Sequence, residues 1–291
     1  MIHVCLTHDI DRIDKTYQYI TKPLAALKAG KIGLAVKRAF SPLTIRRPYW
    51  GFDKIMQIEK KYGVRSTCFF LNESIKFNIT KPNSWKLALG RYDIHDKRIV
   101  SIIRELDTNG WEIGVHGSYN SYNNYELLKH EKETLEKIVG HEVIGVRQHY
   151  LNFGENTWQI QQQAGFKYDS TWGPAIEIGF KANRVSPFFP IEDTQYCEIP
   201  LVIMDRPFAI ADDRWHKFEQ IVEEIDKHDA YLVINYHSNN FDHLDFPLYE
   251  SDYIKMIESL LCRRGVFMTL GEAYRKITQM YNEKKGNENS N

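Results

Sequence analysis

No CxxC pair occurs in the chain, and its four cysteines (Cys5, Cys68, Cys197 and Cys262) stand far apart. That spacing excludes a cysteine metal knuckle. The strand-like surroundings of Cys5, Cys68 and Cys197 favour buried thiols over a disulfide framework. No apolar run approaches the roughly 20 residues that a membrane-spanning helix needs. Neither sign of charge is in excess: 38 Lys and Arg face 38 Asp and Glu, so net charge gives no indication of nucleic-acid binding. Glycine and proline are too few, and apolar residues at 43% too many, for a disordered chain. The opening MIHVCLTHDI has no basic region leading into an apolar stretch, which sets the expectation of a cytoplasmic protein. Absent too are a phosphate-cradling glycine loop, a dinucleotide fingerprint and a nucleophile elbow.

What is present is an alternation of short apolar runs with segments of helical period, over a length that suits one barrel-sized domain. Strands are expected at Ile2–Leu6, Arg65–Leu71, Glu112–Val115, Val143–Val146, Lys167–Asp169, Glu198–Met204, Tyr231–Tyr236 and Val266–Thr269. Helical spacing marks Arg98–Leu106, Glu126–Ile138, Glu155–Ala164, Phe218–Ile225 and Tyr253–Leu261. These elements define a single catalytic β/α-barrel domain over residues 1–280, followed by a polar, flexible tail at 281–291. Two stretches break the rhythm. Thr171–Thr194 is aperiodic, and Lys15–Pro48 is long for one βα connection. The second carries eight Lys or Arg and no Asp or Glu, interleaved with Leu24, Leu27, Ile32, Leu34, Val36 and Phe40. Such a basic, apolar insertion suits an anionic partner, either a phosphate-bearing sugar or an anionic lipid surface contacted peripherally; the alternative is a solvated helical excursion.

In a β/α barrel the chemistry gathers at the carboxyl ends of the strands. Here the first strand leads into Thr7-His8-Asp9-Ile10-Asp11 and the third ends at His116. The fourth is followed by Arg147-Gln148-His149-Tyr150, the fifth delivers Asp169, the sixth Asp205 and the seventh Tyr236-His237. A random scatter would place as many reactive residues at the opposite ends. Carboxylates with imidazoles suit Zn²⁺ or a similar divalent ion, which can activate water and polarise a carbonyl. Asp9 and Asp11 lie two apart, so in an extended segment both face one side; one can hold the ion while the other accepts a proton.

These residues resemble the polysaccharide deacetylases, carbohydrate esterase family four or the NodB-homology group. THDID, His116, RQHY and NYHS follow the family's motif order across roughly Ile2 to Tyr274. The resemblance implies a distorted β/α barrel with fewer regular strands than a full eightfold one, and a metal-dependent hydrolase that removes an acyl group from an N-acylated sugar. It further implies Asp9 as catalytic base, Arg147 as its partner, His237 as general acid, and Asp11 and His116 as metal ligands. The chain departs from the pattern in three places, one of them His149 where a proline is more usual. Ile10 separates aspartates that are commonly adjacent, and Asn120 stands where a second ligand histidine is usual. His149, leaving the fourth strand beside Arg147, is expected to replace that histidine as third ligand, the alternative being a substrate contact. Tyr150, Asp169 and Trp172 are expected to touch substrate, with Pro187–Pro190 and Trp172 forming either a sugar-stacking wall or core. The remaining histidines, His3, His95, His130, His141, His216 and His228, read as structural. The expected partner is an N-acylated sugar or polysaccharide precursor used in surface polysaccharide synthesis. Hydrolysis of a non-sugar C–N bond, or an inactive carbohydrate-binding relative, is the competing reading.

Overall fold

The computed structural model describes residues 1–228 and 230–288. The amino-terminal half runs β1 (His3–Ile10), α1 (Gln18–Lys28), α2 (Ile32–Thr44), α3 (Phe52–Tyr62), β2 (Thr67–Leu71), α4 (Pro82–Ala88), α5 (Lys97–Thr108), β3 (Glu112–Gly117) and α6 (Tyr125–Val139). It continues through β4 (Gly145–Gln148), α7 (Thr157–Gln163), β5 (Tyr168–Asp169), β6 (Cys197–Glu198), β7 (Ile203–Met204) and α8 (Asp205–Ile210). The chain ends with α9 (Arg214–Lys227), β8 (Tyr231–Asn235), α10 (Tyr249–Cys262), β9 (Val266–Phe267) and α11 (Leu270–Glu288). The strands pair in parallel in the order β6-β5-β4-β3-β2-β1-β8-β7, and β9 pairs with the start of β1. This is the distorted (β/α) barrel that the alternation of elements predicts, curled and open between β6 and β7.

Several boundaries differ from expectation, each for a structural reason. β1 extends to Ile10, because pairing passes from β8 at His3–Thr7 to β2 at Thr7–Ile10. Asp9 therefore lies within the strand. The single strand expected over Glu198–Met204 is two: Ile199 N–H bonds Asp169 at one sheet edge, and Val202 N–H bonds Val233 near the other. One extended segment thus bridges the barrel's opening. The tail expected to be loose from 281 continues α11 to Glu288, supported by a Gln279–Glu283 side-chain bond; residues 289–291 lie outside the described residues.

β1 shows how the sheet sorts its faces. Val4 and Leu6 pack outward on α3, α9 and α10 through Ile55, Phe218, Val222, Met256 and Leu260. Ile10 joins the outer layer formed by α5 and α6. Inward, Cys5 joins Phe69, Tyr168, Leu201 and Val233 in the barrel floor, which Leu270 and Ala273 of α11 close. Thr7 and Asp9 follow Cys5 on that face by the period of two, so the interior passes from an apolar floor to an ionisable rim. Two inward positions must lack a side chain. A Cβ on Gly114 would overlap the Phe69 ring, and one on Gly145 would overlap Tyr168.

The basic insertion folds as the α1–α2 hairpin. Arg38 anchors it, donating to the Leu244 carbonyl at 3.1 and 3.2 Å and standing 3.1 Å from the Asp245 carboxylate. Lys15 meets the same carboxylate at 2.7 Å, and Tyr49 donates to it at 2.9 Å. Two of the eight cations are thus consumed inside the fold.

Candidate active site

Asp9, 3% exposed, has both oxygens engaged: Arg147 Nη1 donates to Oδ1 at 3.0 Å and Asn235 Nδ2 to Oδ2 at 2.8 Å. Arg147 is wholly buried with its ring-facing side over Phe69, 4.6 Å from the centroid. It also donates to Thr7 Oγ1 (2.7 Å), Asn235 Oδ1 (3.0 Å), the Ser170 carbonyl (2.9 Å) and Ser170 Oγ (2.9 Å). A buried guanidinium needs this many acceptors to offset its desolvation. Burial alone would raise the Asp9 pKa, but the charges of His116, Arg147 and His237 outweigh it and hold the carboxyl below the usual range.

Two residues on, Asp11 follows the end of β1 at the cavity mouth. Its Oδ1 lies 3.3 Å from His116 Nε2 and its Oδ2 3.4 Å from His149 Nε2. His116 Nδ1 lies 2.9 Å from the Arg147 carbonyl, a contact that fixes the ring with Nε2 turned toward the Asp11 carboxylate. Asp11 Oδ1 is buried without a hydrogen-bond partner. One ligand atom each from Asp11, His116 and His149 lie within 4.8 Å of one another. Acceptor atoms converging in a buried place fit a cation, and a carboxylate with two imidazoles is a donor set that zinc accepts. Asn120 is exposed and outside this group.

His149 is held by two residues that sequence reasoning missed. Glu73 Oε2 lies 3.4 Å from Nδ1, and Arg91 Nη2 is 2.9 Å from Nε2. Burial disfavours the charged ring while Asp11 and Glu73 favour it, with a raised pKa as the balance. The short Arg91 contact requires a bare Nε2, so we assign the neutral ring with Nδ1–H toward Glu73. Arg91 also reaches Asp11, donating to its carbonyl at 3.0 Å.

His237 stands across the cleft. Its Nδ1 is 3.1 Å from both Asp205 oxygens, and its backbone N–H donates to Asp205 Oδ2 at 2.8 Å. Asn240 Nδ2 donates to the same oxygen at 2.7 Å, and the Arg206 N–H to Oδ1 at 2.6 Å. Burial would lower the His237 pKa; Asp205 outweighs it and pushes the ring up to about 10. Asp205, one of the strand-end residues the sequence placed at the rim, is thus the carboxylate behind His237. Asn235, in the NYHS motif already singled out, is the other omission; its position two before His237 at a strand end was the available signal.

Three expected substrate contacts fall differently. Tyr150 is half exposed, held at φ 60°, and lies against His149 with ring centroids 4.3 Å apart. Asp169 does not reach the cleft: it is wholly buried and accepts a hydrogen bond from Thr171. Burial pushes its pKa up to about 6 and that of neighbouring Glu198 further. Trp172 packs its ring on Phe153 and Trp158, and Phe188 of the Pro187–Pro190 run packs on Trp158 in the same cluster. A cleft of about 520 Å³ opens between Asp11 and His237 and is bordered by Gln18 and Lys22 of α1, with Arg206 and Tyr249 opposite.

Residues 50–168 match the family model described as polysaccharide deacetylase. Over that stretch, under half of its length, the chain is similar to polysaccharide deacetylases. Its fold is shared with solved structures of low identity. A Mycobacterium smegmatis protein described as a polysaccharide deacetylase superposes with a TM-score of 0.62 at 17% identity, over 96% of this chain and 91% of its own. Puue allantoinase gives 0.57 at 14% identity, covering 94% and 89%. A Pseudomonas aeruginosa PAO1 protein described as a polysaccharide deacetylase gives 0.56 at 13%, covering 94% and 90%. No curated protein matches the chain.

Proposed function

We propose that this protein is a metal-dependent N-deacetylase acting on an N-acylated sugar, a precursor of surface polysaccharide. The observation that carries this reading is the convergence of Asp9 held by Arg147, the acceptor set Asp11, His116 and His149, and His237 backed by Asp205. Asp11, His116 and His149 would hold the ion, for which Zn²⁺ is the choice these donors favour. Bound there, a divalent cation supplies Lewis acidity toward water and the amide carbonyl.

The chain's own residues do the rest. Asp9, kept ionised by Arg147 and oriented by Asn235, takes the proton from the attacking water. His237, kept charged by Asp205, gives its proton to the amine nitrogen as the C–N bond breaks. The products are a free amino sugar and a carboxylate. Lys22 and Arg206 border the cleft, and among the described residues neither has a carboxylate partner, which supports a phosphate-bearing sugar as the substrate. The likeness to an allantoinase supplies the competing reading, hydrolysis of a cyclic amide.

Elemental analysis of the purified protein, with acetate release from N-acetyl sugars and their phosphate esters, tests the proposal. We expect one divalent ion per chain and release that ceases on chelation. Turnover of a cyclic ureide without acetate release from any N-acetyl sugar would replace this reading with the other.

A further inference from the structure

The outer face of the α1–α2 hairpin does not line the cleft, yet it carries seven exposed large apolar side chains. Ile20, Leu24 and Leu27 follow at i, i+4, i+7 on α1; Ile32, Val36, Phe40 and Leu43 follow at i, i+4, i+8, i+11 on α2. All seven are between 51% and 82% exposed. On α2 the opposite face, Ala35, Arg38 and Ser41, is the buried one. A continuous apolar stripe turned away from its own protein is a docking surface. Lys28 and Lys31 in the turn, Lys37 on α2, and Arg46 and Arg47 just after it are all exposed, and residues 15–48 contain no acid.

We infer that this hairpin adsorbs to an anionic lipid surface, lying in its plane. Apolar side chains flanked by lysine and arginine partition between headgroups and acyl chains, and anionic headgroups supply the missing counter-charge. No helix of the described residues is long and apolar enough to cross a membrane, so the contact is peripheral. A second copy of the same face is the poorer occupant, because its cations would confront their own kind. Gln18 and Lys22, on the hairpin's other side, border the cleft. Adsorption therefore holds the cleft beside the lipid surface.

Full-length protein is mixed with phosphatidylglycerol–phosphatidylcholine vesicles, and with phosphatidylcholine alone, and sedimented. We expect sedimentation with the anionic vesicles only, weakening as salt rises. Phe40→Glu with Leu43→Glu should reduce the partition coefficient roughly tenfold or more. Each of Lys28→Glu, Lys31→Glu and Lys37→Glu should reduce it by at least about fivefold. These residues are exposed, so far-UV circular dichroism and the melting temperature should hold for every variant. Absence of binding at low salt overturns the inference, as does undiminished binding of the Phe40/Leu43 variant. A dimer by light scattering that this variant dissociates also overturns it, assigning the face to a second copy. Metal content and deacetylation do not enter the readout, so this result and that for the catalytic proposal stand apart.

Discussion

Asp9 within β1 and Asp11 just after it stand two residues apart, yet the first has both oxygens hydrogen-bonded and the second keeps one bare. Around Asp9 everything comes from strand ends: Thr7, Arg147 and Asn235 are carried by β1, β4 and β8. Around Asp11 only His116 is strand-borne. His149, Glu73 and Arg91 come from the segments after β4, β2 and α4. The first region is electrically complete without a ligand. The second juxtaposes acceptors that a cation would satisfy. Two chemically identical side chains thus acquire different surroundings, the basis of the different tasks proposed for them.

The sharpest way to break that contrast is Asp9→Asn. Turnover should fall on the order of 10²–10⁴-fold while metal content by elemental analysis stays near that of the parent. If instead Asp9→Asn loses the ion and Asp11→Asn keeps it, the two regions exchange roles. Next in size is Arg147→Met, which leaves Asp9 buried without its cation. A loss of about 3–5 kcal/mol in urea unfolding is expected, with part recovered when Asp9→Asn is added. Stability unchanged by Arg147→Met would show that the Asp9 region does not depend on its cation.

His149→Ala tests the loop-built side. Removing one of three donors should weaken ion binding by more than about 100-fold, whereas Asn120→Ala should leave it unchanged. Full occupancy in His149→Ala with only a raised KM would make this histidine a substrate contact. The smallest effect sharpens the third corner. Asp205 raises the His237 pKa to about 10, so the acid form, and activity with it, should persist up to that pH. The same raised pKa contributes stability fully present below the ordinary histidine value of 6.5 and lost as pH rises through about 10. In Asp205→Asn the alkaline limb of the pH–rate profile should retreat toward neutrality. A profile unmoved by that change would detach the limb from His237.

The rim was legible where a residue's task follows from its own strand. Period two puts Thr7, Asp9 and Asp11 on one face, and the β/α alternation puts His116, Arg147 and His237 at one end. Where the local sequence ran out, it did so for definite reasons. Asp169 lies at a strand end as Arg147 does, but only the structure shows it wholly buried and bonded to Thr171, away from the cleft. Trp172 reads equally as wall or core until Phe153 and Trp158 are seen against it.

Alternation along β1 and the strand-end motifs determine the barrel, its reactive rim and the inward direction of both aspartates, because those depend on neighbours within a few residues. Which acceptor faces which donor does not. Asn235 meets Asp9 across 226 positions, Arg91 meets His149 across 58, and Asp205 meets His237 across 32. Each of those contacts depends on strand order, on the curl of the sheet and on where a loop lies over the rim. Only the folded chain decides these, because hydrogen bonds of an ångström's tolerance are made by segments that the sequence leaves far apart.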